Sequence, residues 1–194
     1  MLKVKSNFLR TCLVCVSVAF AALFGYVMLQ NLFAELFIRL NWEARGTDSH
    51  LFENGYWSAF LIMAIMFPVL EELVFRFCLC NFLKKIKLPN WYVIIISAII
   101  FMVYHFSWSQ IVYQLLMGIW LGWIFIKTSH IGWTVLIHFI NNAFVITYIY
   151  LTGSENAVFD LNAGNIILSI SLAVITTVVI AFLIKKGIPE YEKQ

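Results

Sequence analysis

Charge is scarce in this chain. Of 194 residues only 13 are Lys or Arg and 10 are Asp or Glu, together 12%, about half the share usual in soluble domains. With 62% hydrophobic residues and a mean hydropathy of +0.89, the sequence holds too few polar side chains to cover a water-facing surface, which excludes a soluble globular domain. Proline and glycine are sparse as well, at three and nine residues. That leaves little room for linkers or low-complexity tracts, and no internal repeat is present. The net charge of +3 does not point to nucleic acid, because the basic residues sit in short clusters at the ends of apolar runs rather than along one stripe. The four cysteines, Cys12, Cys15, Cys78 and Cys80, all lie within apolar runs. Cys12-x-x-Cys15 has no second pair at metal spacing, so they read as small apolar filler.

What the chain has in abundance is apolar sequence. A helix crosses a hydrocarbon core of about 30 Å with about 20 mostly apolar residues, and six runs meet or approach that length: 11–37, 57–83, 91–108, 110–126, 131–151 and 163–184. The expected fold is an all-α membrane protein, a single integral domain over 1–194 built as a bundle of about six transmembrane helices. Lys3, Lys5, Arg10, Lys84, Lys85, Lys87, Lys127, Lys185, Lys186 and Lys193 fall on one side of such a bundle, against Arg39 and Arg45 on the other. The positive-inside rule then places both termini in the cytoplasm, in a multi-pass protein of the cell (plasma) membrane that has lipid as its surroundings. The basic N-terminus and Ala19-Phe20-Ala21 have the look of a secretory signal, yet the apolar run continues to about Phe37, as an uncleaved anchor does.

Charge inside a span is the informative anomaly, since each such residue costs about 2.5–3.5 kcal/mol on insertion scales and marks a bundle interior or a functional site. The second run holds three charges: Glu71, Glu72 and Arg76. Glu72 and Arg76 stand four apart, acid first, and can pair on one helix face. Glu71 lies about 100° round the helix and is left free for chemistry. Pro68, just ahead of it, removes a backbone hydrogen bond and is expected to kink the helix. The third run carries Phe101 and His105 one turn apart, where the ring can pack on the imidazole, and the fifth carries His138 and Asn142 one turn apart. Asn141 offers a second amide beside them. Counted from the basic boundaries at about 1.5 Å per residue, Glu71, His105, His138 and Asn142 lie roughly 20, 22, 12 and 18 Å deep. A buried polar site near mid-membrane follows. Gly118-x-x-x-Gly122 on the fourth run reads as a close helix-packing face. No Asp lies within a span and no Ser or Cys stands with a matching base at this depth, which argues against an aspartyl dyad or a nucleophile triad.

Glu71-Glu72-x-x-x-Arg76, Phe101-x-x-x-His105 and His138-x-x-x-Asn142, in that order on successive membrane segments, resemble the three motifs of the CAAX prenyl protease and bacteriocin-processing (CPBP, or Abi) family. The resemblance covers about 56–150, the motif-bearing core. It implies an intramembrane peptidase with no covalent enzyme intermediate. Glu71 and His105 would activate a water, His138 and Asn142 would stabilise the oxyanion, and Glu72 and Arg76 would support them. The implied partner is a peptide or membrane-associated polypeptide, prenylated in the branch that named the family. No cofactor is expected. Two histidines and a carboxylate (Glu71, His105, His138) also suit a catalytic zinc, but His-Glu-x-x-His is absent and direct water activation is favoured.

Two other functions fit the same scaffold. One is a non-catalytic protein of bacteriocin self-immunity or binding. The other is a small transporter or proton relay, since intramembrane Glu and His serve there too; six spans without a paired inverted repeat argue against it.

Overall fold

The structure is a computed structural model that describes residues 2–42, 51–153 and 161–189, with side chains from residue 7 onward. Six helices follow one another: α1 Leu2–Arg39, α2 Tyr56–Lys85, α3 Asn90–Tyr104, α4 Ile111–Thr128, α5 Ile131–Thr152 and α6 Ala163–Gly187. No strand occurs among the described residues. Five of the helices are long and apolar enough to cross a membrane, and α3, at 15 residues, is apolar but shorter. The protein is thus an all-α membrane bundle. Glu43, Arg45, Asp48, His50, Glu155, Asp160 and Lys193, expected in loops or at the C-terminus, and the side chains of Lys3 and Lys5 lie outside the described residues.

One boundary differs from the sequence reading. The third run was expected to continue to residue 108, but α3 stops at Tyr104. There the ladder tightens, with His105 N–H donating to Met102 and Phe106 N–H to Val103, three residues back. Phe106 then turns into the left-handed region at φ +48°, which ends an α-helix.

The expected break at Pro68 takes an unexpected form. α2 is α-helical at both ends and over Phe67–Glu72, and widens into π-helix over Phe60–Met66 and Leu73–Cys80. A proline interior to a helix lacks an N–H and crowds the carbonyl four residues back. The wider turn absorbs that conflict: Phe67 N–H reaches Ile62, five residues behind it, instead of Met63. The two π segments bracket Glu71 and Glu72.

The helices pack through small residues, as close approach in lipid requires. A Cβ on Gly118 would stand 2.9 Å from Ala98 Cα, and one on Gly122 would stand 3.5 Å from Ile94 and Ser97 side-chain atoms, so the expected Gly-x-x-x-Gly face is where α4 meets α3. The main core joins Cys15, Val18, Ala22 and Tyr26 of α1 to Leu121 and Ile124 of α4, Ile137 of α5 and Ile180 and Ile184 of α6. At one end of the bundle Lys127 Nζ donates to the carbonyls of Ile184 and Lys185 at 3.2 and 3.3 Å, and Arg10 donates to that of Lys186. Two cations therefore cap the last carbonyls of α6, of which Ile184 also accepts from Ile188 N–H.

Candidate active site

Three elements bring the chemistry together. α2 supplies Glu71, Glu72 and Arg76; the end of α3 supplies Phe101 and His105; α5 supplies His138. Glu72 and Arg76 are fully buried and pair across one turn, Nη1 to Oε1 at 3.1 Å, as their spacing suggested. The guanidinium also lies over the Phe101 ring, 4.3 Å from its centroid, a placement that stabilises a desolvated cation. Glu72 does more than neutralise Arg76, however. Its Oε1 also receives His138 Nδ1 at 3.0 Å, a long-range contact that the sequence reading did not foresee.

The hydrogen bonds fix which imidazole nitrogen does what. His105 Nδ1 lies 2.8 Å from the Phe101 carbonyl. A carbonyl only accepts, so Nδ1 carries the proton and Nε2 is the basic nitrogen of the neutral ring. This carbonyl is free because α3 ends here: the His105 N–H that a continuing helix would send to Phe101 goes to Met102 instead. The ring itself packs edge-on against Phe101, 4.5 Å between centroids, as the spacing had implied. His138 is set by the same logic, since its Nδ1 donates to a carboxylate and leaves Nε2 as the free nitrogen.

Both Nε2 atoms converge on one oxygen. Glu71 Oε2 stands 3.6 Å from Nε2 of His138 and 3.9 Å from Nε2 of His105, and this buried oxygen has no hydrogen-bond partner within the protein. With both rings neutral, three acceptors face one another and only a proton donor between them completes the arrangement. A water able to donate to Glu71 and to one imidazole meets that need. The Glu71 and His105 side chains keep 14% and 18% exposure, so this corner is reachable, whereas Glu72 and Arg76 are sealed.

Asn142 sits one turn beyond His138 and faces another way. Its Nδ2 donates to the Met63 carbonyl at 2.9 Å, and its Oδ1 accepts from Asn141 Nδ2 at 3.2 Å. Asn141 Oδ1 in turn accepts from the Tyr113 hydroxyl. Of the six expected site residues, Glu71, Glu72, Arg76, His105 and His138 form one network of contacts, and Asn142 belongs to an adjoining one. Sequence reasoning missed Tyr113, and it missed the Met63 carbonyl, for which no side-chain signal exists. Two cavities, about 550 Å³ between α3 and α4 and about 240 Å³ among α1, α4 and α5, contain none of the six. Among the described residues no group of three or more His, Cys, Asp or Glu side chains is arranged as a metal site.

Residues 53–144, just under half of the chain, match the model of a family described as type II CAAX prenyl endopeptidase Rce1-like. No curated protein and no solved structure gives a match.

Proposed function

Through residues 53–144 this chain belongs to the CPBP family, and from that premise we propose that it is an intramembrane endopeptidase that hydrolyses a peptide bond with water activated by Glu71 and His105. The observation that carries the reading is the convergence of Glu71 Oε2 with the free Nε2 atoms of His105 and His138. Water between them loses a proton to Glu71 or to His105 Nε2 as its oxygen attacks the scissile carbonyl carbon. His138, which takes up a solvent proton at Nε2 before attack while Nδ1 stays against Glu72, donates that Nε2 hydrogen to the developing oxyanion. Asn142 keeps a second Nδ2 hydrogen besides the one given to Met63, and in this proposal that hydrogen serves the same oxygen from the neighbouring network. When the tetrahedral intermediate collapses, the C–N bond breaks and the proton taken from water passes to the leaving amine. Removal from bulk water strengthens each of these interactions. Residues 56–150 form the catalytic core in this proposal.

The substrate is a peptide or membrane-associated polypeptide, in keeping with the family's name. Both termini lie in the cytoplasm of a plasma-membrane protein, an orientation supported by the gathering of Arg10, Lys127, Lys185 and Lys186 at one end of the bundle. Hydrolysis proceeds without a metal and survives chelation; were a zinc used, Glu71, His105 and His138 would be its ligands.

The test compares the membrane and secreted peptides of cells carrying the wild-type chain or Glu71→Gln by mass spectrometry. The amide keeps the shape and removes the base, so at least one cut disappears while the protein remains folded in the membrane. An identical peptide set overturns the proposal. Bacteriocin self-immunity without chemistry is the alternative use of this scaffold, and it predicts protection that survives the same substitution.

A further inference from the structure

The network that holds Asn142 begins on a helix that carries none of the three motifs of the resemblance. Tyr113 of α4 and Asn141 of α5 are both nearly fully buried, and they form a chain that runs from the Tyr113 hydroxyl to Asn141, from Asn141 to Asn142 and from Asn142 to the Met63 carbonyl of α2. Its direction is dictated by its far end. Pro68 has no N–H, and the Phe67 N–H is taken by Ile62, so the two residues that serve a carbonyl in Met63's position, four and five ahead of it, both fail it. A bare carbonyl within a membrane is strongly unfavourable, and it can only accept.

Asn142 must therefore present Nδ2 to Met63, which turns its Oδ1 toward Asn141. Asn141 must then present Nδ2, which turns its own Oδ1 toward α4. There a donor is required, and the Tyr113 hydroxyl is that donor. Met63 sets the order of donors and acceptors, and the Tyr113 hydroxyl anchors its last member. If the hydroxyl were absent, Asn141 Oδ1 would be a buried acceptor without its donor, and Asn141 would no longer be held where it fixes the plane of Asn142.

We propose that Tyr113, acting through Asn141, is a positioning residue that fixes the carboxamide plane of Asn142. This rests on the peptidase reading, in which the second Nδ2 hydrogen of Asn142 meets the oxyanion. Tyr113 itself touches no reacting atom. Losing a whole oxyanion donor costs about 10²–10³ in kcat, and a donor present but misaimed costs less, about tenfold. Substrate binding is unaffected.

The test uses the full chain in nanodiscs. A synthetic peptide spanning the cut that disappears in Glu71→Gln serves as the kinetic probe. Tyr113→Phe lowers kcat about tenfold and leaves KM within twofold of wild type, and adding it to Asn141→Leu costs nothing more, as expected of two breaks in one chain. An unchanged kcat, a change in KM alone, or losses that multiply in the double variant overturn the proposal. A second measurement needs no activity. With asparagine labelled by ¹⁵N, the side-chain amide signal of Asn142, identified by its absence in Asn142→Asp, shifts in Tyr113→Phe even though the two residues do not touch. A stationary signal overturns the inference. If no cut depends on Glu71 the peptidase reading fails, and the amide signal still decides whether Tyr113 orients Asn142.

Discussion

The α1–α6 pair and the α2–α3 pair are built from the same apolar residue types, yet they treat their backbones in opposite ways. α1 and α6 are helical over 38 and 25 residues and meet through small or slender side chains; their exposed last carbonyls at α6 are closed by Lys127 and Arg10 at the bundle's end. α2 and α3 break the ladder inside the apolar region, at two π segments, at Pro68 and after Tyr104. The breaks at Pro68 and after Tyr104 each free a carbonyl away from bulk water, and in both cases a site side chain meets it: Asn142 on Met63, His105 on Phe101. The difference teaches that irregularity here is a fixing device. In the regular pair the side chains held by carbonyls are hydroxyls one turn on in the same helix, Thr11 on Asn7 and Ser169 on Asn165, whereas the carbonyls freed by the breaks hold side chains of the site.

Several substitutions break or sharpen that contrast. The largest effect belongs to His105→Ala in the irregular half, which removes the basic nitrogen beside Glu71 and lowers hydrolysis of the Glu71-dependent substrate by about 10²–10⁴ with the bundle intact by circular dichroism. Arg76→Met comes next. It strands Glu72 in a fully buried site, and loss of one partner of a buried pair costs about 3–5 kcal/mol, read as a lower midpoint of unfolding in mixed micelles. Pairing it with Glu72→Gln returns much of that stability but not activity, because Glu72 also holds His138. Gly118→Val tests how the irregular half is held, through the contact of α3 with α4. Its Cβ would sit 2.9 Å from Ala98 Cα, and backbone cannot swing aside, so α3 must move at about 1–3 kcal/mol, and activity falls with it. The smallest effect belongs to the regular half. Trp120 donates to the Tyr26 hydroxyl at 3.1 Å, and that hydroxyl meets Thr177 at 3.0 Å; Tyr26→Phe costs about 0.6 kcal/mol, the average for an interhelical bond in a membrane, and leaves turnover unchanged.

The six helices and their order were legible because hydropathy alone requires them. The end of α3 was not, because Phe106 and Trp108 continue the apolar run beyond the point where the backbone turns, and no glycine or proline marks it. Within the site, local pairs could be read from spacing: Glu72 with Arg76 and Phe101 with His105 are each one turn apart on a single helix. The pairing of His138 with Glu72 joins residues 66 positions apart, and helical periodicity carries no such information. Asn142 stood out as a polar residue in an apolar run, but its partner is a backbone carbonyl, which looks the same at every position of a sequence. Tyr113 was hidden for a simpler reason: a tyrosine in an apolar span resembles any other bulky core residue until its hydroxyl is seen to have a partner.

The length of α3 carries one more consequence. Fifteen residues rise about 22 Å, some 8 Å less than the hydrocarbon they would have to match, and beyond His105 the chain turns through Ser107 and Ser109, whose hydroxyls meet at 3.0 Å. Lipid beside so short an element thins to suit it, drawing the aqueous phase inward on that flank. In the proposed hydrolysis each cut consumes one molecule of water, and a bilayer thinned beside α3 would shorten its path to the imidazole.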